Sequence, residues 1–191
     1  MKVTPRRFAG LMVCFALLAS ASMARAQEGP PTPKPTAEHE MLAKDAGTWD
    51  ATIKSWMSGP EAAPSVSQGV EVVKVMPGGL WITNEFDGKF GDMPFHGNGQ
   101  TGYDTKKKKF VGTWVDSMTT EIMNMEGDYD SATQTLTTYA KGTEPSGKPY
   151  DAKMTSKRQG DDTRVFTMTM KSDETKGEMA KVMEITYTRR K

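Results

Sequence analysis

From residue 47 onward, apolar and polar side chains alternate in short runs, each closed by Gly, Pro, Asp or Asn. "RVFTMTMK" (164–171) places Phe166, Met168 and Met170 on one face, and "KVMEITYTR" (181–189) does the same with Met183, Ile185 and Tyr187. Successive side chains leave a pleated backbone on opposite sides, so a two-residue period marks a strand with one covered face. The pattern predicts strands over 49–57, 69–75, 80–90, 99–104, 110–116, 121–130, 135–141, 150–158, 164–171 and 181–189. The connections are too short for crossover helices, so the strands pair antiparallel as a meander. A long meander leaves two unpaired edges, and closing on itself removes both. The expectation is an all-β fold, an antiparallel up-and-down β-barrel of about ten strands.

A helical period occurs only upstream. Thr36 is placed to cap "AEHEMLAKDA", with Glu38 and Glu40 near its positive end and Gly47 just past its close. This short helix is expected to close one barrel end. Before it, "QEGPPTPKPT" (27–36) is too proline-rich for a helix or an interior strand and reads as a disordered tether. Residues 1–26 read as a secretory signal. Lys2, Arg6 and Arg7 precede an apolar stretch at 8–18 that is too short to span a bilayer, and Ala24-Arg25-Ala26 follows. Arg6-Arg7-Phe8 lacks twin-arginine spacing, and Cys14 lies inside the apolar run rather than at a lipoprotein box. Cleavage is expected after Ala26. The protein would then be secreted or periplasmic, with no transmembrane segment and one barrel domain over 37–191.

Without that signal the chain has 165 residues, enough for one domain with a core. Four of the 25 basic residues (Lys2, Arg6, Arg7, Arg25) leave with it and none of the 24 acidic ones does, so 21 remain against 24, a net charge of −3. That balance argues against a nucleic-acid partner held through phosphates. The one cysteine leaves too, which excludes disulfides and thiol chemistry.

A weak repeat fits the meander. Tyr103-Asp104 and Tyr129-Asp130 each end a run, and an apolar residue (Phe110, Leu136) opens the next one seven positions after the tyrosine. Aspartate at a first turn position accepts nearby backbone N–H groups, so Lys106–Lys109 reads as a solvated hairpin tip.

Gly47-Thr48-Trp49 after a short helix resembles the start of a lipocalin barrel. That resemblance implies that Gly47 and Trp49 form the barrel floor. A basic residue of the last strand, Arg189 with Arg190 beside it, would lie over the tryptophan ring in a cation–π contact of about 0.5–2 kcal/mol. The order "GTWD", "MPGGLWITNEFDG", "HGNGQTGYD", "KKFVGTWVDSM", "MEGDYD" and "TLTTYA" resembles the secreted bacterial family known as domain of unknown function 1579 (DUF1579). The resemblance implies a calycin-type barrel and carries no activity with it.

Several motifs have plain structural readings. Gly97-Asn98-Gly99-Gln100-Thr101-Gly102 matches G-x-G-x-x-G, but a hairpin rather than a helix follows, so the glycines are read as a bulge or tight corner. His39 and His96 are the two histidines. His39 lacks a second metal ligand four residues on and reads as a solvated helix residue. His96 is the one candidate axial ligand for a haem, and reads instead as a mouth-lining side chain. Met123-x-Met125 and Met168-x-Met170 present paired thioethers, which suit an adaptable lining better than a copper site. No metal or cofactor is expected.

The leading expectation is a barrel whose lumen takes a small apolar molecule. Trp81, Phe86, Trp114, Phe166 and Tyr187 would form its wall and His96 and Tyr103 its mouth; Glu85 and Asp116 would be polar groups inside if their faces point inward, and outward salt-bridged groups if the register turns them out. One alternative is an envelope interaction protein with a side-chain-filled barrel. Another is a hydrolase or isomerase using Glu85, Asp116, His96 or Tyr103, although the sequence contains no recognisable catalytic constellation.

Overall fold

The computed structural model describes residues 32–56, 59, 61–144, 147–173 and 175–191. The expected signal, its cleavage point and residues 27–31 of the tether lie outside the described residues. Residues 32–36 form neither helix nor strand.

Among the described residues one helix, α1 (Ala37–Ala43), precedes ten strands: β1 (Gly47–Ser55), β2 (Ser65–Val75), β3 (Trp81–Phe90), β4 (Met93–Asp104), β5 (Lys109–Asp116), β6 (Met123–Asp130), β7 (Thr135–Thr143), β8 (Pro149–Arg158), β9 (Thr163–Lys171) and β10 (Ala180–Arg189). Each strand pairs antiparallel with its sequence neighbours, and β1 closes the sheet against β10. The architecture is the expected closed up-and-down barrel. Two strands start four or more residues before the pattern predicts. "MPFHG" precedes the strand predicted at 99–104, yet it pairs with the end of β3 as Phe90↔Met93 and Gly88↔Phe95. Ser65–Gln68 is too polar to read as a strand and is held by its register with β1, from Ser55↔Ser65 to Thr52↔Gln68. Among the described residues no helix is long and apolar enough to cross a membrane.

The register settles which face points inward. Trp49, Ala51 and Ile53 of β1 are buried and stand opposite Arg189, Tyr187 and Ile185 of β10. Following this row from strand to strand places Glu71, Phe86, Gly97 and Asp116 inside as well. The end near α1 is solid. Trp49 is fully buried, donates its indole N–H to the Asp45 carbonyl at 2.8 Å, and lies between two guanidinium groups, Arg189 at 4.1 Å and Arg164 at 5.1 Å. Gly47 makes room for Arg189: at φ +135°, a Cβ there would sit 2.7 Å from Nη1. Arg189 instead donates to the carbonyls of Ala46, at 2.6 Å, and Lys44, at 2.8 Å, and so closes the chain end over the helix. Beside it, Arg164 pairs with Glu71 and Arg158 pairs with Asp45.

His39 corrects the sequence reading. It is buried, not solvated, because Nδ1 accepts the Thr36 backbone N–H at 3.0 Å and the ring edge meets Tyr103 at 5.9 Å. The two Tyr-Asp turns match each other. Asp104 accepts the N–H groups of Lys106 and Lys107, Asp130 accepts that of Ala132, and the residue four on from each aspartate (Lys108, Gln134) has positive φ. Hydrogen bonding from the Lys107 N–H holds the Asp104 carboxyl below its usual range. The lysines of the first tip pair on the outer wall, Lys107 with Glu126 and Lys109 with Asp128.

Candidate functional site

The barrel interior divides into two halves. The floor half packs Leu42, Trp49, Val73, Ile82, Phe110 and Tyr187 with little exposure. The half toward the opposite, mouth end carries a smaller buried group, Ala140, Ala152 and Met154. Around it Met123, Met125, Met168, Met170, Tyr150 and Phe166 face inward yet remain only partly buried. Inward side chains that keep exposure line a space that solvent enters. Methionine suits such a wall, since its unbranched thioether adapts to irregular apolar shapes.

Glycine sets how the aromatic walls lie. A Cβ at Gly97 would come within 2.1 Å of the Trp114 ring, and one at Gly99 within 2.8 Å, so the indole lies flat on β4. Tyr150 lies on Gly142 in the same way, and Phe86 on Gly69 and Gly88. The G-x-G-x-x-G segment is therefore neither a bulge nor a corner. It is regular strand whose first two glycines receive Trp114 from inside and whose last, Gly102, receives Trp81 from outside. Gly97→Ala is expected to lower stability by about 1–3 kcal/mol through displacement of the Trp114 ring. Urea unfolding checks this, and an unchanged midpoint would mean that the ring does not rest there.

The expected site residues divide by strand parity. Phe86, Trp114, Asp116, Phe166, Tyr103 and Tyr187 face inward. Trp81 and His96 do not, which corrects the sequence reading, and Glu85, whose face the alternation left open, points outward: one residue along a strand reverses the face, and the register puts Ile82, Asn84 and Gly97 inside. Glu85 lies along a shallow outer-wall depression of about 280 Å³ with Thr83, Asn98 and Val115. His96 is exposed on the outer wall, its Nδ1 2.6 Å from Asp87, and cannot reach a lumen ligand. Tyr103 lies at the floor, against His39 and Phe110, rather than at the mouth. Tyr187 is buried there under Arg164 at 4.3 Å, and burial pushes its phenol above the usual tyrosine range. The four groups named for acid–base chemistry thus point to two faces and two ends. Among the described residues, no three His, Cys, Asp or Glu side chains converge to hold a metal ion.

Asp116 is the inward carboxylate at the mouth. Its Oδ2 accepts the Trp114 indole N–H at 3.0 Å and its Oδ1 accepts the Met118 N–H at 2.8 Å. Burial raises the Tyr150 phenol, and the charges of Glu121 and Asp116 add to this. The sequence reading missed Tyr150, Ser55 and Met183, although Gly142 eight residues before Tyr150 was a signal for a ring lying on the wall. Exposed Val66, Met93, Met118, Ile122 and Met179 surround the mouth end. On the outer wall, a separate groove of about 750 Å³ is lined by Trp81, Gln100, Val111, Tyr139, Lys141 and Asp151 among others.

Residues 34–189 match the family described as protein of unknown function (DUF1579). The chain belongs to that family. A search among curated proteins finds no match for this DUF1579 barrel. Among solved structures it is similar to Rv2717c from M. tuberculosis, with 11 % identity over 82 % of this chain and 99 % of that one, at a TM-score of 0.60. This likeness shows the shared barrel fold. Weaker likenesses are to the S-type phycobiliprotein lyase CPES from Guillardia theta (TM-score 0.49, 11 % identity, 82 % and 99 % covered) and to EF1p2_mFAP2b bound to DFHBI (0.42, 14 %, 80 % and 98 %).

Proposed function

We propose that this DUF1579 barrel is a secreted or periplasmic carrier or sensor that holds one small, largely apolar molecule in the mouth half of its lumen. The location rests on the signal-like residues 1–26. The binding reading rests on one observation: inward methionines and rings at that end stay partly exposed, while the floor half is packed tight. A solvated apolar wall in a concave site favours an apolar occupant, since about 25 cal/mol is gained per Å² of apolar surface withdrawn from water.

Native mass spectrometry of the protein purified from its own host's envelope tests this directly. A reproducible added mass that disappears on denaturation is expected, and titration with the neutral fluorophore N-phenyl-1-naphthylamine should saturate at one per barrel. A clean apo mass together with no saturable fluorophore binding would sink the carrier reading. A second reading, an interaction protein acting through its outer wall, is favoured by the groove beside the exposed Tyr139 and Trp81.

A further inference from the structure

We propose that the lumen selects molecules bearing a protonated amine, seated at the mouth against Asp116 with Trp114 and Tyr150 beside it. This rests on the lumen being a binding site and names the class of molecule it takes.

The distribution of charge on the inner face carries the argument. Its basic side chains among the described residues, Arg158, Arg164 and Arg189, all lie at the floor. There they are engaged by Asp45, by Glu71 and by the carbonyls of Ala46 and Lys44. In the mouth half, Asp116 is the charged inward side chain among the described strands. Lys54, Lys89, Lys171 and Lys181 fall on outward positions of β1, β3, β9 and β10, and Lys148, in the loop before β8, pairs with Asp173. Glu121, on the loop between β5 and β6, accepts the Thr143 N–H at 3.3 Å and adds a second negative charge on the same side.

The surroundings of Asp116 suit a cation. Its two hydrogen bonds, from Trp114 Nε1 and Met118 N, fix the carboxylate and leave lone pairs for a further donor. Trp114 rests one face on Gly97 and Gly99 and turns the other toward the lumen, and Tyr150 does the same over Gly142. Aromatic faces attract an ammonium through the ring quadrupole. Ser55, buried at the mouth end of β1, faces inward with its Oγ unpaired among the described residues, but it lies four strands from β5 and belongs to the packed wall rather than to the Asp116 site. The thioethers of Met168, Met170 and Met183 would enclose an apolar chain. A carboxylate-tailed molecule of equal length meets the same wall, but its charge opposes Asp116 and Glu121.

The test uses the purified protein loaded with N-phenyl-1-naphthylamine and displaced at pH 7 by decylamine, decanol or decanoate. Decylamine is expected to displace the fluorophore at about tenfold lower concentration than decanol, with decanoate the weakest, as a paired and partly desolvated charge would give. Asp116→Asn preserves the shape and the bond from Trp114, and should bring the decylamine-to-decanol ratio close to one. Glu121→Gln, farther out in the rim loop, should lower it less. Equal potency of amine and carboxylate, or an unchanged ratio in Asp116→Asn, overturns amine selection while leaving the apolar lumen standing. If decanol fails to compete and the fluorophore itself does not saturate, the carrier reading falls and this inference falls with it.

Discussion

Trp49→Ala is expected to cost about 3–5 kcal/mol, the range for deleting a buried tryptophan. The residue is completely buried and is held by three neighbours rather than by apolar contact alone. Arg189 and Arg164 lie over the ring, and Nε1 donates to the Asp45 carbonyl. Truncation therefore opens a cavity, leaves that carbonyl unpaired, and strips the aromatic partner from two guanidinium groups. A domain of this size has a total stability of roughly 5–15 kcal/mol, so the loss is a large fraction of it. Urea unfolding followed by circular dichroism measures it. Trp49→Phe keeps a ring between the arginines and loses the N–H donor, and should cost clearly less. If both variants unfold at the wild-type midpoint, the floor is not what holds the barrel end closed.

The second large effect concerns the ion pair beneath that ring. Arg164→Met should destabilise by about 3–5 kcal/mol, because it leaves the Glu71 carboxylate buried without its counter-charge. Glu71 is 4 % exposed, binds Arg164, and otherwise accepts only the Asn84 amide, at 3.1 Å, among its described side-chain partners. Burial acts against the charge of Arg164, but Glu71 and Asp45 outweigh it and hold the guanidinium protonated. Breaking such a pair is costly even where the intact pair adds little net stability, since the penalty is that of the charge left behind. The double variant Glu71→Gln with Arg164→Met removes both charges and should recover much of the loss. A thermodynamic cycle over the four proteins gives the coupling directly. A double variant as unstable as the single one would show that Arg164 acts by packing on Tyr187 and Trp49 instead.

Both variants act at the solid end of the barrel, whereas ligand binding is assigned to the mouth half. That division was only partly legible beforehand. The methionine alternation in "RVFTMTMK" marked Met168 and Met170 as one face, and both line the mouth half. In "ITNEFD" the alternation leaves the face of Glu85 open, and the register turns Asn84 inward and Glu85 outward. The glycines of "HGNGQTG" were read as a bulge or tight corner. In the folded chain the same glycines are strand positions emptied for Trp114 and Trp81. His39 looked solvated on a polar helix, and only the meeting of α1 with Tyr103 buries it.

What the sequence determined by itself is local: ten runs of two-residue period, turn residues between them, and a Gly-x-Trp where the first strand begins. These follow from φ/ψ preferences and side-chain alternation within a few residues, so composition and order suffice to read them. Only the tertiary structure decided which face of each strand points inward, that the barrel packs solid at the end near α1, and that Asp116 stands inside while Glu85 and His96 stand outside. An alternating pattern gives the same signal for either choice of face. That choice is set by hydrogen-bond register between strands, and for β1 with β10 the partners lie more than a hundred residues apart in the chain.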